Sequence, residues 1–304
     1  MTTLKSDGRL EAKLRAGTFV LTAEMTPPDA ASADAVLAKA GALKGLVDAC
    51  NVTDGAGAKA HMAPMAAAAI LARHGIEPIL QFTVRDRNRL AIQADYIGAP
   101  ALGIPNILCL HGDSIDKGDQ PEAKPVVDLD SRGLLSTARA LRDTGAFPSG
   151  RKIDPAPRLF LGAADSPQDP KPDFEPKGIL GKIEAGADFF QTQFVYDLDM
   201  VKRYMTRLAD FGVTEKAFFI MGVGPLGSVK SARWMNANLF GVNVPEPIIA
   251  RMEGAADQAK EGRKICAEII QGLREIKGVG GAHIMAPQGE KAIVALFAEH
   301  KIAA

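Results

Sequence analysis

Cysteine is scarce in this chain of 304 residues: Cys50, Cys109 and Cys266 are the only three, and they lie far apart without a CxxC pair. Such spacing argues against a disulfide framework and against a dedicated zinc site, and points to a reducing, cytoplasmic setting. An excess of either charge is missing too, with 36 Lys and Arg against 36 Asp and Glu. No global basic field therefore favours nucleic acid or an anionic membrane as partner, although a local phosphate site stays open. No stretch reaches the roughly 20 apolar residues that span a bilayer, and Met1–Leu10 has no apolar core of a secretory signal. No His, Cys and carboxylate cluster stands at ligand spacing, so no metal is expected. What remains is a composition 47% hydrophobic and 24% charged, that of a globular protein whose partners are small molecules. Homo-oligomerisation is left open.

Eight strand-length apolar runs rich in branched or aromatic residues are present: Thr18–Ala23, Ala49–Val52, Pro78–Val84, Asn106–Leu110, Arg158–Ala163, Phe189–Val195, Ala217–Val223 and Gly281–Met285. Segments with helical spacing separate them, among them Ala31–Leu46, Ala60–His74, Asn88–Ile97, Ser131–Arg142, Lys177–Ala185, Asp199–Phe211 and Ser228–Phe240. Pro245 opens a longer helical region. Eight alternations with no repeat period and no composition break predict an α/β fold, a single (β/α)8 TIM barrel over residues 1–304 with a short polar lead at 1–17. The rival is a doubly wound open sheet. Its phosphate signature is missing from the first turn, and the GxGxxG spacing of Gly222–Gly227 follows the seventh run and carries Pro225. Long connections follow the fourth and fifth runs, at 111–130 and 165–176.

Barrel chemistry is built at the C-terminal ends of strands. Those ends carry Glu24, Thr53 with Asp54, Gln81 with Thr83, His111-Gly112-Asp113, Asp165, Gln193 and the Gly222–Gly224 turn. Glu24 lies in an apolar run ended by Pro27 and Pro28, where an ionised carboxylate is costly unless it finds a partner, such as Arg85, or does chemistry. Asp54 and Asp113 each have a plain reading as turn-formers that cap backbone amides. Gln191 and Gln193 alternate onto one side of their strand, which requires a polar face there. His61, His74 and His300 fall at helix ends, and His283 faces either the mouth or the core.

These strand-end residues make the chain resemble the methylenetetrahydrofolate reductases over nearly its whole length, from Phe19 to about Phe297. Ala23–Pro28 is similar to the family's first-strand Glu-x-x-Pro-Pro motif and Asn51–Ala56 to its second-strand segment. Gly103–Asp113 is similar to the fourth strand ending in Gly-Asp, and Lys182–Phe194 to the sixth strand with the preceding helix end. The resemblance implies reduction of 5,10-methylenetetrahydrofolate to 5-methyltetrahydrofolate with NAD(P)H, directly or through FAD, in either direction. It implies that Glu24 is the general acid that protonates N10, a role suited to a carboxyl group kept protonated in apolar surroundings. It implies that Asp113 and Gln193 contact the pterin, that Thr53, Gln81, His111, Gly112, Asp113 and Ala163 line a flavin, and that Lys182 lies on its phosphate side. The chain departs from the pattern at four points. His111 stands where arginine or threonine is common, Gln81 where histidine is, Asp165-Ser166-Pro167 where an aromatic-Pro segment is, and Gly181 where an arginine often precedes the lysine. Direct hydride transfer from nicotinamide, and a non-redox pterin-binding methyltransferase or folate-binding accessory subunit, are the alternatives.

Overall fold

The computed structural model describes residues 3–286 and 289–302; residues 1 and 2 of the polar lead, and the last two of the chain, lie outside them. Strands β1 (Val20–Met25), β2 (Ala49–Val52), β3 (Pro78–Thr83), β4 (Asn106–Leu110), β5 (Phe160–Asp165), β6 (Phe189–Phe194), β7 (Phe218–Val223) and β8 (Val279–Ile284) are parallel. They close into a barrel in chain order, with β8 paired back onto β1. Helices fill the connections, so the fold is the (β/α)8 barrel that the alternation predicts.

Strand alternation divides each strand between two cores. On β1, Leu21, Ala23 and Met25 face the surrounding helices. Val20 turns inward and joins Ala49, Ile79, Leu108, Phe160, Phe189 and Ile220 in an apolar cluster inside the barrel. Phe160 and Phe189 stack there with ring centroids 4.8 Å apart.

The polar lead contains a helix, Arg9–Arg15, whose Leu10 and Leu14 enter the inner cluster and close the barrel's N-terminal end. Its N-cap residue, Gly8, has no side chain to offer. The Glu77 carboxylate, just before β3, takes that role by accepting from Arg9 N at 2.6 Å and from Leu10 N at 3.0 Å. Several predicted helices change length, two of them in ways that matter for the architecture. The segment 31–46 is helical over Ala33–Ala40 and then tightens into a 3-10 turn. The region opened by Pro245 splits into Glu246–Glu253 and Gln258–Arg274, the second capped by Asp257 through Lys260 N. With one end plugged, the C-terminal end of the barrel is the open one.

Candidate active site

A cavity of about 650 Å³ occupies that open end, lined by strand-end residues of β1 to β6 and β8. Glu24 rises from β1 at its floor with a side chain 27% exposed. Alternation puts it in phase with Val20 and Thr22, so its neighbours are polar, although the run that carries it is apolar. Gln81 Nε2 donates to Glu24 Oε2 at 2.6 Å, and His283 Nε2 lies 3.7 Å from the same oxygen. Oε1 takes no hydrogen bond from the described residues, and Glu24 lines the cavity. The predicted apolar surroundings of Glu24 are thus corrected to an amide and an imidazole. Arg85 is not its partner. That guanidinium pairs with Asp86 and donates to the carbonyls of Gly55 and Asp113, tying together the loops after β2 and β4.

The second and fourth strand ends are built for position. Asp54 Oδ2 accepts from Thr83 N at 2.8 Å and from Arg87 Nη1 at 2.6 Å, the structural role open to it from sequence. Asp113 is exposed, and its Oδ2 accepts from Gly57 N at 2.8 Å. Gly112, with φ of +94°, lets the chain turn there, where a Cβ would stand 3.1 Å from that of Thr83. His111 is exposed on the rim. Thr53 is buried, and its Oγ1 has no partner among the described residues. An orphaned hydroxyl at a cavity wall costs free energy until a ligand satisfies it.

On the opposite wall, Gln193 Oε1 accepts from Phe194 N at 3.0 Å, so its NH2 group is free for a ligand. Lys182 Nζ donates to the carbonyl of Ala164 at 2.6 Å, and burial holds its ammonium below the usual lysine range. Asp165 accepts from the Tyr204 hydroxyl at 2.7 Å, and burial raises its carboxyl above the ordinary range. Ala163 is absent from this wall. It packs in the outer core because it is out of phase with Ala164, which lines the cavity instead.

His283, left between mouth and core by the sequence, lines the cavity and lies beside Glu24. Three features escaped the sequence reading. Phe240 hangs at the mouth with 81% of its surface exposed. Thr22 and Asn51 form a buried polar layer beneath Glu24, a pattern legible only as a polar residue two positions before the acid. Arg132, on the helix Ser131–Thr144, covers the Gly181 backbone, where a Cβ would fall 2.9 Å from its guanidinium carbon. An arginine therefore fills the space beside Lys182 although position 181 is glycine. Arg132 has no ion pair among the described residues, and its charge opposes that of Lys182.

None of the curated proteins matches the chain. Among solved structures it is similar to an uncharacterized protein from Clostridium thermocellum that binds two copies of 5-methyl-5,6,7,8-tetrahydrofolic acid. Identity there is 18%, the match covers 94% of this chain and 97% of that one, and the TM-score is 0.67. It is also similar to the coenzyme F420 dependent tetrahydromethanopterin reductase from Methanopyrus kandleri, at 10% identity, 91% and 96% coverage and a TM-score of 0.54. At such identities these two carry the fold alone. The family model for methylenetetrahydrofolate reductase matches residues 9–301, from the plugging helix through all eight strands, and the chain belongs to that family.

Proposed function

We propose that the protein reduces 5,10-methylenetetrahydrofolate to 5-methyltetrahydrofolate with NAD(P)H as the source of hydride. The observation that carries this reading is Glu24 at the cavity floor, with Oε2 occupied by Gln81 and Oε1 free. The proton on Oε1 passes to N10, the bond from the bridging carbon to N10 breaks, and the bridging carbon is left as an iminium with N5. Hydride addition to that carbon completes the methyl group. The carboxylate left on Glu24 keeps the Gln81 hydrogen bond, which stabilises the charge as it forms. Gln193 offers its free NH2 group and Asp113 its carboxylate to the pterin edge, holding the bridging carbon in one orientation.

The residues of the cavity fit a flavin dinucleotide. Thr53 Oγ1 is an unused donor in the wall, and Lys182 in the wall, with Arg132 near it outside the cavity lining, supplies positive charge for a phosphate. FAD, when bound, supplies a carrier that accepts hydride from the nicotinamide and returns it to the folate. The reading in which hydride passes directly from nicotinamide differs in a single observable, the flavin absorption of the purified protein.

The test is Glu24→Gln, which keeps the shape and the acceptor for Gln81 but removes the acid. Turnover of methylenetetrahydrofolate should fall by a factor of about 10² to 10⁴, while 5-methyltetrahydrofolate still binds and any nicotinamide oxidation by a flavin survives. Full turnover in that variant would sink the role of Glu24. Binding of 5-methyltetrahydrofolate by the wild type without turnover in either direction would replace the reductase with a folate-binding protein.

A further inference from the structure

Beneath Glu24 the barrel interior is polar at a level where branched apolar side chains usually dominate. Asn51 and Gln191 exchange two amide hydrogen bonds, 2.6 and 3.0 Å long, and Gln191 Nε2 also donates to Thr22 Oγ1 at 3.1 Å. Thr22 Oγ1 lies 2.9 Å from His283 Nδ1. Thr22 and His283 are register partners on the adjacent strands β1 and β8. All four side chains are at most 3% exposed, so the hydroxyl proton of Thr22 needs an acceptor among them.

That requirement fixes a direction. Thr22 Oγ1 accepts from Gln191, and the acceptor within reach of its own proton is His283 Nδ1. Nδ1 is then unprotonated, and the ring carries its hydrogen on Nε2, which lies 3.7 Å from Glu24 Oε2. Protonating Nδ1 as well would leave the Thr22 hydroxyl without an acceptor. Reversing the whole network, by turning both amides and making Nδ1 the donor, would aim the Nε2 lone pair at the Glu24 carboxylate. Both alternatives are unfavourable in a buried site; turning the amides with hydrogens on both ring nitrogens would satisfy every bond in the set, but it places a buried imidazolium beside Glu24 in its acid form.

We infer that the Asn51–Gln191–Thr22 network locks His283 as the neutral Nε2–H tautomer. In that form it is a positioning residue whose N–H stabilises the carboxylate that Glu24 becomes on giving up its proton. The inference rests on the proposed reductase reading for its consequence in turnover, but not for the tautomer itself. Gln81 and His283 both address Oε2, which reserves Oε1 for the transferable proton. The other titratable groups around the cavity are Asp54, held by Arg87, and His111, Asp113, Asp165 and Lys182. On the outer side of β2 the buried Cys50 thiol, pushed up by burial, feels Glu24 and Glu290.

Two measurements test this. In protein labelled with ¹⁵N-histidine, the ring nitrogens of His283 should report a single neutral Nε2–H tautomer near neutral pH. Thr22→Val, which keeps the shape and removes the hydroxyl, should yield a mixture. An Nδ1–H tautomer or an imidazolium in the wild type would overturn the inference whatever reaction the protein catalyses. In turnover, His283→Leu should lower the plateau rate about tenfold, less than the loss of a close oxyanion donor, with the KM for folate nearly unchanged. His283→Gln, which retains a donor, should recover most of the lost rate. A lower plateau unrescued by glutamine, or a loss carried by KM instead, marks a merely structural histidine and overturns the proposed role. If the wild type turns over no folate in either direction, the function reading fails, and the tautomer measurement still decides the network.

Discussion

Asp165 is a carboxylate whose surroundings oppose ionisation. Burial raises it, and the Tyr204 hydroxyl and Lys182 offset only part of that cost. A folded-state value above the unfolded one means that the native protein binds more protons through that window. Its contribution to stability is therefore complete below the ordinary aspartate range, and it is lost as pH rises through the raised folded value. Asp165→Asn keeps an acceptor for Tyr204 and removes the charge. Its denaturation midpoint in urea should gain on the wild type as pH rises from the ordinary aspartate range through the raised folded value. A difference between the two proteins that is independent of pH would show that Asp165 is not the titrating group. The sequence marks Asp165 as a strand-end acid but is silent on Tyr204, which lies 39 residues away and meets it only through packing. Glu24 differs in the same way. Its position at a strand end is legible, whereas its polar neighbours come from β3 and β8 and depend on barrel closure.

At the scale of elements, the alternation of apolar runs was enough to count and order the strands, because each had to fill both an inner and an outer core. The helix Arg9–Arg15 was hidden for the converse reason: its apolar burial rests on Leu10 and Leu14, and its third buried residue is the charged Glu11. Its N-terminus is capped from a distance by Glu77, which also accepts from Asn106 Nδ2 at 2.9 Å. Glu77→Ala should destabilise the fold by about 1–2 kcal/mol, the value of a lost cap, read as a shifted urea midpoint. Folate turnover per folded molecule should be unchanged, since the change lies at the end of the barrel opposite Glu24. Loss of turnover without loss of stability would show that the plug communicates with the mouth. Arg132 belongs here as well. Nothing in its local sequence marks it, and it reaches Gly181 only because the helices Ser131–Thr144 and Lys177–Ala185 pack side by side.

For the molecule as a whole, a barrel plugged at one end and open at the other binds its ligands in the native state only, so each ligand adds to stability by mass action. A ligand at about 100 times its dissociation constant adds about 2.7 kcal/mol. With an unfolding entropy of about 2.1 cal/mol/K per residue, that raises the thermal midpoint of a chain of 304 residues by about 4 °C. Lys182 in the cavity wall and the exposed Arg132 near it make this measurement diagnostic. On the proposed reading a ligand carrying a diphosphate, FAD or NADH, meets both cations, so its shift should shrink as salt is raised. Arg132→Ala should weaken that binding by about tenfold, the worth of one charge-assisted contact. The free pterin ring system, which bears no phosphate or tail, meets Gln193 and Glu24 instead, and its shift should survive both salt and the substitution. Equal losses for the dinucleotide and the pterin would mean that Arg132 supports the shape of the mouth rather than a phosphate, and an unchanged dinucleotide shift would remove it from the site.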